Sequence, residues 1–512
     1  MSVLFNEVRK GVYLDSVALM RLSAELTDLA GIEEAVLMIG TPANLQIMRN
    51  ADILDGSGEE AGPNDLVIAI RADRKASINR ALAHAEKSMQ GNSASARATE
   101  HRARTLRGSH SANPESNLCL ISTPGEYASI EAHTALDLGM NVMIFSDNVP
   151  LERELELKQK ARDLDLLVMG PDCGTAYING VPLAFANAVN KGTTGVIAAS
   201  GTGLQEFSVL LHRAGGGIKH GIGVGGRDLS DSIGGISTLT AIDLLANDKD
   251  VEQIVLISKP PGDATAKKVF AKLGSCGKPV IACVFGFSAN QIPDGIGGAQ
   301  TLKHAAELAL SQMQTDAQSD GITVRDTLNA RQDFSNLAAD LAANADAKRQ
   351  SLVGLYTGGT LCTEALLILT NAGLSCSSNT VKEGLDQTAQ HQLIDLGADE
   401  YTIGRPHPMI EPAVRTPLLL EALNNNKNAV ILLDVVLGYG AHENPAADVV
   451  SAINAADVQK PLIIASVCGT DLDPQNYQQQ CSQLDGAGVI VCDSNTEAAE
   501  LGSLVIQQLT QN

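Results

Sequence analysis

The segment TGVIAASGTGLQE, residues 194–206, places a short apolar run directly before a turn of small residues. The run 196–199 predicts a buried parallel strand, and Leu204 and Phe207 begin a helical periodicity after the turn. A strand, a tight turn and a helix in this order leave backbone N–H groups and a positive helix end for an anion. Many α/β proteins have such turns without a ligand, but here we predict phosphate binding at Ser200, Gly201, Thr202 and Gly203.

The same strand–turn–helix unit occurs a second time at VGLYTGGTLCTE, residues 353–364. Aligning the two turns places Gly359, Thr360 and Glu364 at the positions of Gly201, Thr202 and Glu206. Two copies of one unit indicate a duplicated architecture. We therefore expect a second phosphate-binding helix end at Gly358, Gly359 and Thr360.

Charge and cysteine content argue against several classes of protein. The chain has 512 residues, enough for three or four domains, and its net charge of −22 makes nucleic acid an unfavourable partner. Nine cysteines without a CxxC pair favour a reducing compartment over a disulfide scaffold. The N-terminus does not read as a signal peptide, and no stretch approaches the roughly 20 apolar residues of a membrane helix. We expect a cytoplasmic protein that binds neither nucleic acid nor membranes.

Residues 117–170 alternate between strand and helix patterns in the order βαβαβ, which predicts a parallel, doubly wound sheet. Ligands of such sheets bind beyond the carboxyl ends of the strands. The loops STPGE (122–126), SDN (146–148) and GPDCG (170–174) follow the three strands and are expected to face one ligand crevice. Its candidate residues are Pro124, Asp147, Asn148, Asp172 and Cys173.

A glycine-rich segment follows the first phosphate turn. Gly221, Gly223 and Gly226 match the pattern GxGxxG, but a glycine-rich loop precedes it where a dinucleotide fingerprint requires a clear strand. We expect a close-packed loop beside the phosphate turn, in which Gly225 and Gly226 offer backbone N–H donors.

Three ionisable side chains are candidates for catalysis. Lys259 follows a predicted strand, where its ammonium group could reach an anion, although an exposed lysine without a role is the ordinary alternative. Asp434 lies within an apolar strand run, and a buried carboxylate is costly unless it is paired or functional. The sequence alone supports structural pairing and a functional role for Asp434 equally. His407 lies between two prolines, which place it rigidly. A histidine in such a position is more often structural than catalytic.

Several longer segments together resemble the FdrA/YahF family of the succinyl-CoA synthetase superfamily. They are FSDNVPLERELELKQKA, MGPDCGTAYING, SGTGLQE, GGRDLSDSIGGIS, SKPPG, LYTGGTLC and GRPHPMIEP. The resemblance implies an α/β, multidomain fold with a Rossmann-like CoA-binding-type domain and two flavodoxin-like ligase domains. In synthetases, two facing helix N-termini from the ligase domains hold a phosphoryl group, and by resemblance these are the two turns described above.

The implied domain order has five parts. They are an N-terminal α/β domain with a basic linker (1–110), the Rossmann-like domain (111–191), a first ligase-type domain (192–310), a polar, alanine-rich linker (311–348) and a second ligase-type domain (349–512).

The sequence departs from the synthetases at their reactive histidine. Their Gly-His-Ala-Gly-Ala loop corresponds to residues 295–299, where Ile296 replaces the histidine, and the nearby His304 lies on a helical face. The glutamate that synthetases use beside the histidine falls at Lys259, a cation suited to a free phosphate or carboxylate. The N-terminal glycine loop that cradles CoA is missing, so CoA is a candidate cofactor and none is certain.

Some members of this family are subunits of an oxamate carbamoyltransferase and work with separate partner proteins. The resemblance therefore implies a subunit of an enzyme that handles an acyl or carbamoyl phosphate and a small carboxylate. Separate protein subunits are the expected partners, and a homo-oligomer is also compatible. Two alternatives stay open: the α-type subunit of an ADP-forming acyl-CoA synthetase, and a noncatalytic scaffold that organises partners.

Overall fold

The computed structural model describes residues 2–12, 14, 16–63, 65–94, 103–313, 334–380, 389–402, 407–456 and 460–511. These residues form two compact units, the first Met1–Ser109 with Asp399–Pro406, the second His110–Ala398 with His407–Asn512. Among the residues described, no helix is both long and apolar enough to cross a membrane.

The first unit is a three-stranded antiparallel sheet with helices on both faces. Its elements are β1 (Val3–Arg9), α1 (Ser16–Thr27), β2 (Ile32–Ile39), α2 (Pro42–Asn50), β3 (Leu66–Ala72) and α3 (Lys75–Ala94), with β3 in the centre. Successive residues of a strand point to opposite faces. Ile68 and Ile70 therefore pack with α1 and α3, while Val67 and Ala69 pack with α2. The short helical turn Asp399–Thr402 also belongs to this unit.

The basic segment after α3 is only partly described. The helix α3 buries Ile78, Ala81 and Ala85 on one side. Residues 95–102 of the predicted linker lie outside the described residues. The chain continues in α4 (Leu106–Ala112), where the two units divide.

The second unit begins with the predicted βαβαβ pattern. The elements are β4 (Leu118–Ile121), α5 (Gly125–Asp137), β5 (Asn141–Ile144), α6 (Leu151–Asp163) and β6 (Val168–Met169). The three strands are parallel and lie in the order β4-β5-β6. The prediction of a parallel sheet here is confirmed.

A seven-stranded sheet follows in the same unit. Its strands are β7 (Thr175–Ile178), β8 (Val181–Ala184), β9 (Lys191–Ala198), β10 (Ile218–Gly223), β11 (Gln253–Ser258), β12 (Val280–Val284) and β13 (Gly297–Ala299), and its helices are α7 (Gly201–Arg213), α8 (Ile236–Asn247), α9 (Asp263–Gly274) and α10 (Leu302–Met313). The order is β13-β12-β11-β9-β10-β7-β8, with β9 to β13 parallel. The hairpin β7–β8 joins this sheet although it precedes residue 192, where we predicted the ligase-type domain to begin.

The third sheet of the unit has six parallel strands. They are β14 (Ser351–Tyr356), β15 (Cys376–Ser378), β16 (His391–Asp395), β17 (Asn428–Val436), β18 (Leu462–Cys468) and β19 (Ile490–Cys492), in the order β15-β16-β14-β17-β18-β19. The helices are α11 (Phe334–Asn344), α12 (Gly359–Asn371), α13 (Thr416–Asn424), α14 (Pro445–Ala455), α15 (Tyr477–Gly486) and α16 (Asn495–Gln511). The α/β, multidomain fold is therefore confirmed.

The predicted linker 311–348 contributes a packed helix. α11 lies against α16 and buries Ala338 and Ala342 in the core shared by the two larger sheets. Residues 314–333 of this segment lie outside the described residues.

Two buried carboxylates connect the two copies of the strand–turn–helix repeat. Asn495, the first residue of α16, donates its backbone N–H to Glu206 Oε1 at 3.1 Å and its side-chain amide to Glu364 Oε2 at 2.7 Å. Glu364 Oε1 also accepts the Leu302 amide at the start of α10, at 2.7 Å. The two glutamates that match in the sequence repeat thus meet at one asparagine. Helix N-terminal N–H groups offset the cost of burying them.

Burial raises the pKa of Glu364 to about 7, although the Leu302 and Asn495 donors oppose the shift; the nearby Glu206 adds to it. An unfolded glutamate releases its proton near 4.5. The folded state therefore binds the proton more tightly in this interval, so the free energy of unfolding falls as the pH rises from about 4.5 to 7.

We expect Glu364→Gln to remove this pH dependence, because glutamine cannot ionise. Between pH 5 and 7.5 the wild-type free energy of unfolding should fall relative to that of the variant by up to about 3 kcal/mol. Urea unfolding at several pH values measures the difference, and Glu252→Gln on the exposed surface is the control. Parallel curves for wild type and Glu364→Gln would show that Glu364 does not titrate in this range.

Candidate functional site

The N-termini of α7 and α12 meet in the second unit. Ser200 caps α7, since its Oγ accepts the Gly203 amide at 2.9 Å, and the same Oγ is hydrogen-bonded to Thr360 Oγ1 in the first turn of α12. A Cβ on Gly203 would come within 3.2 Å of Thr360 Cγ2, and one on Gly358 within 3.0 Å of Thr202 Cγ2. The small residues of both turns are therefore what allows the two helix ends to approach.

The topology of the two sheets places both turns at the positions where open α/β sheets bind their ligands. β9 lies between β10 and β11, and β14 lies between β16 and β17, so each is the strand at which the order of its sheet reverses. In open α/β sheets, ligands bind outside the carboxyl ends of the strands at such a switch point. Ser200 follows β9 and Thr357 follows β14, which puts both predicted turns at switch points.

Asp434 is held by the loop that precedes α12. Its Oδ1 accepts the Thr357 amide at 2.7 Å, and its Oδ2 accepts the Gly358 amide at 2.7 Å. Arg415 Nη1 lies 3.4 Å from Oδ1 and donates to the Asp434 carbonyl at 2.6 Å. Burial raises the pKa of the Asp434 carboxyl, and Arg415 and the two amides oppose that shift. These contacts favour the structural pairing over a catalytic role for Asp434.

Asp395 is a residue that sequence reasoning missed. It ends β16, and a Cβ on Gly359 would lie 2.5 Å from its Oδ2, so the carboxylate packs against the first residue of α12. Its Oδ1 accepts the Gly397 amide at 2.9 Å. The sequence signal that could have identified Asp395 is its position at the carboxyl end of β16, the strand beside the switch-point strand β14.

His407 lies beside this carboxylate. A Cβ on Gly397 would be 2.7 Å from His407 Nε2 and 3.2 Å from Asp395 Oδ1. Burial lowers the pKa of His407 to about 4, and its Nδ1 accepts the Met409 amide at 3.2 Å. Because Nδ1 accepts this hydrogen bond, the neutral ring carries its proton on Nε2, which gives it the capacity to donate from that nitrogen.

Lys259 is exposed in the loop after β11, the strand paired with β9. Its charge acts on the first turn of α12: burial raises the pKa of the Cys362 thiol well above its usual value, Asp395 adds to that, and Lys259 opposes it. Lys259 therefore lies within electrostatic range of the Cys362 thiol, and its role at a bound anion stays a prediction.

The GPDCG loop and the Gly225–Gly226 turn pack around the start of α7. A Cβ on Gly225 would lie 2.6 Å from the Pro171 carbonyl, and one on Gly226 would meet only the Ala199 carbonyl at 3.9 Å. A Cβ on Gly201 would lie 3.5 Å from Thr175 Oγ1. The structure therefore brings together three segments that the sequence presented separately.

The predicted crevice residues have different environments. Asp147, Asn148, Asp172 and Pro124 are exposed, whereas Cys173 is buried. Burial raises the pKa of Cys173 to about 12, and its thiol donates to the Thr175 carbonyl at 3.6 Å. Cys173 therefore lies beneath the loop surface and does not line the crevice.

The loops at the ends of β4 and β5 leave no open glycine cradle for a pyrophosphate. A Cβ on Gly125 would lie 2.1 Å from the Asp147 carbonyl, so the backbone of the second loop fills the space at the first. Ser146 Oγ is also hydrogen-bonded to the Thr123 carbonyl. The residues at this end of the sheet do not fit CoA in the way that a glycine-lined loop would.

The uncharacterized protein YahF of Escherichia coli (strain K12) is 38% identical to this chain over 506 residues, which cover 96% of this chain and 97% of YahF. The chain belongs to the FdrA/YahF family. The CoA-ligase family profile matches residues 355–505. A second profile, described as AllF, heavy metal-associated domain, matches residues 1–105.

More distant relatives of this FdrA/YahF-family chain are subunits of ligases. Succinate–CoA ligase [ADP-forming] subunit alpha 1 of Archaeoglobus fulgidus is 26% identical over 183 residues, or 35% of this chain and 61% of that subunit. The solved ATP citrate lyase of Methanothrix soehngenii, in complex with citrate and coenzyme A, is 14% identical with a TM-score of 0.34 over 80% of this chain and 85% of that one. A likeness at that TM-score says nothing about function.

The N-terminal unit of this FdrA/YahF-family chain does not fit a heavy metal. Residues 1–105 contain no cysteine, the soft ligand that such metals prefer. Within the described part of the chain, no three His, Cys, Asp or Glu side chains are grouped so that they could hold a metal ion.

We expect Asp434→Asn to lower the free energy of unfolding by about 3 kcal/mol, because it removes the carboxylate of the buried ion pair while the Arg415 charge stays buried. The double variant Asp434→Asn/Arg415→Met should lose less than the two single variants together. Thermal and urea unfolding give both numbers. The control is Asp448→Asn, since Asp448 acts on Arg415 only through its charge. Wild-type stability in Asp434→Asn would argue that the carboxylate is kept for chemistry.

Proposed function

We propose that this chain is a subunit of an enzyme that handles an acyl or carbamoyl phosphate, with the phosphoryl group held at the helix N-termini of the ligase-type sheets. The observation that carries the proposal is the contact between Ser200 and Thr360, which brings the positive ends of α7 and α12 together at two switch points. Helix N-termini stabilise anions through free amides and the helix dipole.

This arrangement suits acyl or carbamoyl transfer. The acceptor attacks the carbonyl carbon of the mixed anhydride, the bond from that carbon to the phosphate oxygen breaks, and phosphate leaves with the electron pair. Charge thus grows on the phosphate oxygens, where preorganised donors contribute most. The donors proposed are the first amides of α7, with Lys259 supplying a positive charge nearby and His407 a neutral N–H.

A histidine relay is not needed for this chemistry. Ile296 holds the position of the synthetase histidine and is buried at 9% exposure. His304 lies on α10 beside a separate cavity of about 160 Å³, which is lined in part by Ile292 and Phe287. Neither residue supplies a phosphoryl acceptor at the meeting helix ends.

The second candidate is an α-type subunit of an ADP-forming acyl-CoA synthetase. The CoA-ligase profile over residues 355–505 and the relative named succinate–CoA ligase subunit alpha 1 favour it. The packing at Gly125 and the isoleucine at 296 weigh against it. In either case, that relatives are named as subunits of ligases supports the proposal that separate partner proteins complete the enzyme. CoA-dependent consumption of ATP by the purified complex would favour the synthetase.

We expect that the chain forms no phosphoenzyme, because isoleucine cannot be phosphorylated. After incubation with its partners and labelled ATP or acyl phosphate, the chain should carry no acid-labile, base-stable label. A succinate–CoA ligase α subunit treated in parallel serves as the positive control. A stoichiometric label on any of the ten histidines would contradict the prediction.

Lys259 provides the second test of the proposed function. We expect Lys259→Glu to weaken carbamoyl phosphate binding more than Lys259→Met does, because Glu adds repulsion while Met only removes attraction. For an exposed charge the loss in Lys259→Met is about fivefold or less. Calorimetric titration measures the order, and thermal unfolding should show unchanged stability in both variants. Lys267, on helix α9, offers a matched Lys→Glu control. Equal binding by all proteins would mean that Lys259 is only a solvated surface residue.

A further inference from the structure

The two helix ends are not electrostatically equivalent, although the sequence repeat makes them look so. At α12, Asp434 accepts the Gly358 amide, and Asp395 Oδ2 lies 2.5 Å from where a Cβ on Gly359 would be. Two carboxylates of the chain itself therefore lie at that positive end. At α7, the cap is the neutral Ser200, and the first turn contains no acidic residue.

A buried hydroxyl faces the start of α7. Thr175 is 1% exposed, and its Oγ1 has no hydrogen-bond partner among the described residues. The oxygen lies 3.5 Å from the point that a Cβ on Gly201 would occupy. Buried polar atoms are nearly always paired, and an unpaired hydroxyl destabilises the folded state. An oxygen kept unpaired beside free helix amides indicates a ligand that supplies the missing partner.

We propose that the chain has one phosphate-binding end, at α7, formed by the Gly201 and Thr202 amides and the Thr175 hydroxyl, and that its own carboxylates close the α12 end. The ligand is a phosphate or phosphoryl dianion. This inference rests on the proposed function and narrows it from two helix ends to one.

The test uses Thr175→Val and Gly201→Ala. Valine keeps the shape of threonine and removes only the unpaired hydroxyl, so the variant should be as stable as the wild type or more so, yet bind inorganic phosphate at least tenfold more weakly. Gly201→Ala places a methyl group where the anion would lie, at ordinary contact distance from Thr175, and should also weaken binding without unfolding. Thr363→Val, in the first turns of α12, is the matched control and should bind as the wild type does.

Calorimetry on the full chain gives affinity and stoichiometry, with inorganic phosphate and carbamoyl phosphate titrated separately and in competition. One phosphate per chain, weakened by Thr175→Val and Gly201→Ala, is the expected result. Two phosphates per chain, no binding at millimolar phosphate, or wild-type affinity in Thr175→Val would each overturn the inference. If phosphate binds as expected but neither carbamoyl phosphate nor an acyl phosphate such as acetyl phosphate competes with it, the proposed function fails and the α7 site stands. If transfer activity is found while Thr175→Val binds phosphate normally, the proposed function stands and this assignment fails.

Discussion

The meeting of the two repeated helices depends on how the chain buries Glu206 and Glu364. Both carboxylates are buried, and neither forms an ion pair with a cation in the described part of the chain. They are stabilised by the amides of Leu302 and Asn495, which are N–H groups that the starts of α10 and α16 would otherwise leave without partners. One interaction thus satisfies two opposite requirements, since a buried acid needs donors and a buried helix start needs acceptors. Asn495 makes the arrangement specific because it contacts both acids.

The same principle recurs at the first residues of α7 and α12, with a different outcome. The turn before α12 receives a carboxylate from β17 and another from β16, so the chain supplies its own anions there. In the described part of the chain, the turn before α7 is in contact with hydroxyl groups, those of Ser200, Thr175 and Thr360. A duplicated backbone therefore does not imply a duplicated site, because side chains from neighbouring strands determine the charge that each helix end experiences.

Sequence reasoning predicted the helices and strands that have a clear hydrophobic periodicity and are bounded by glycine residues. The strand and helix around Ser200, the repeat at Gly359 and the βαβαβ pattern of residues 117–170 all occur as expected. It gave no strand at 3–9, where Asn6 and Glu7 interrupt the apolar alternation and the strand depends on pairing with β3 and on tertiary contacts such as the Asn6 hydrogen bond to the Ile53 carbonyl. It also missed Asp395 and Thr175, because the importance of each follows from proximity to a glycine that is far away in the chain.

The contact between Ser200 and Thr360 lies within one polypeptide, and this determines how the site responds to dilution. When two halves of a site are on separate subunits, the fraction assembled falls as the protein concentration falls. Here the covalent connection replaces that concentration by an effective local concentration, which does not change with dilution. The contact between the two helix ends is therefore independent of protein concentration.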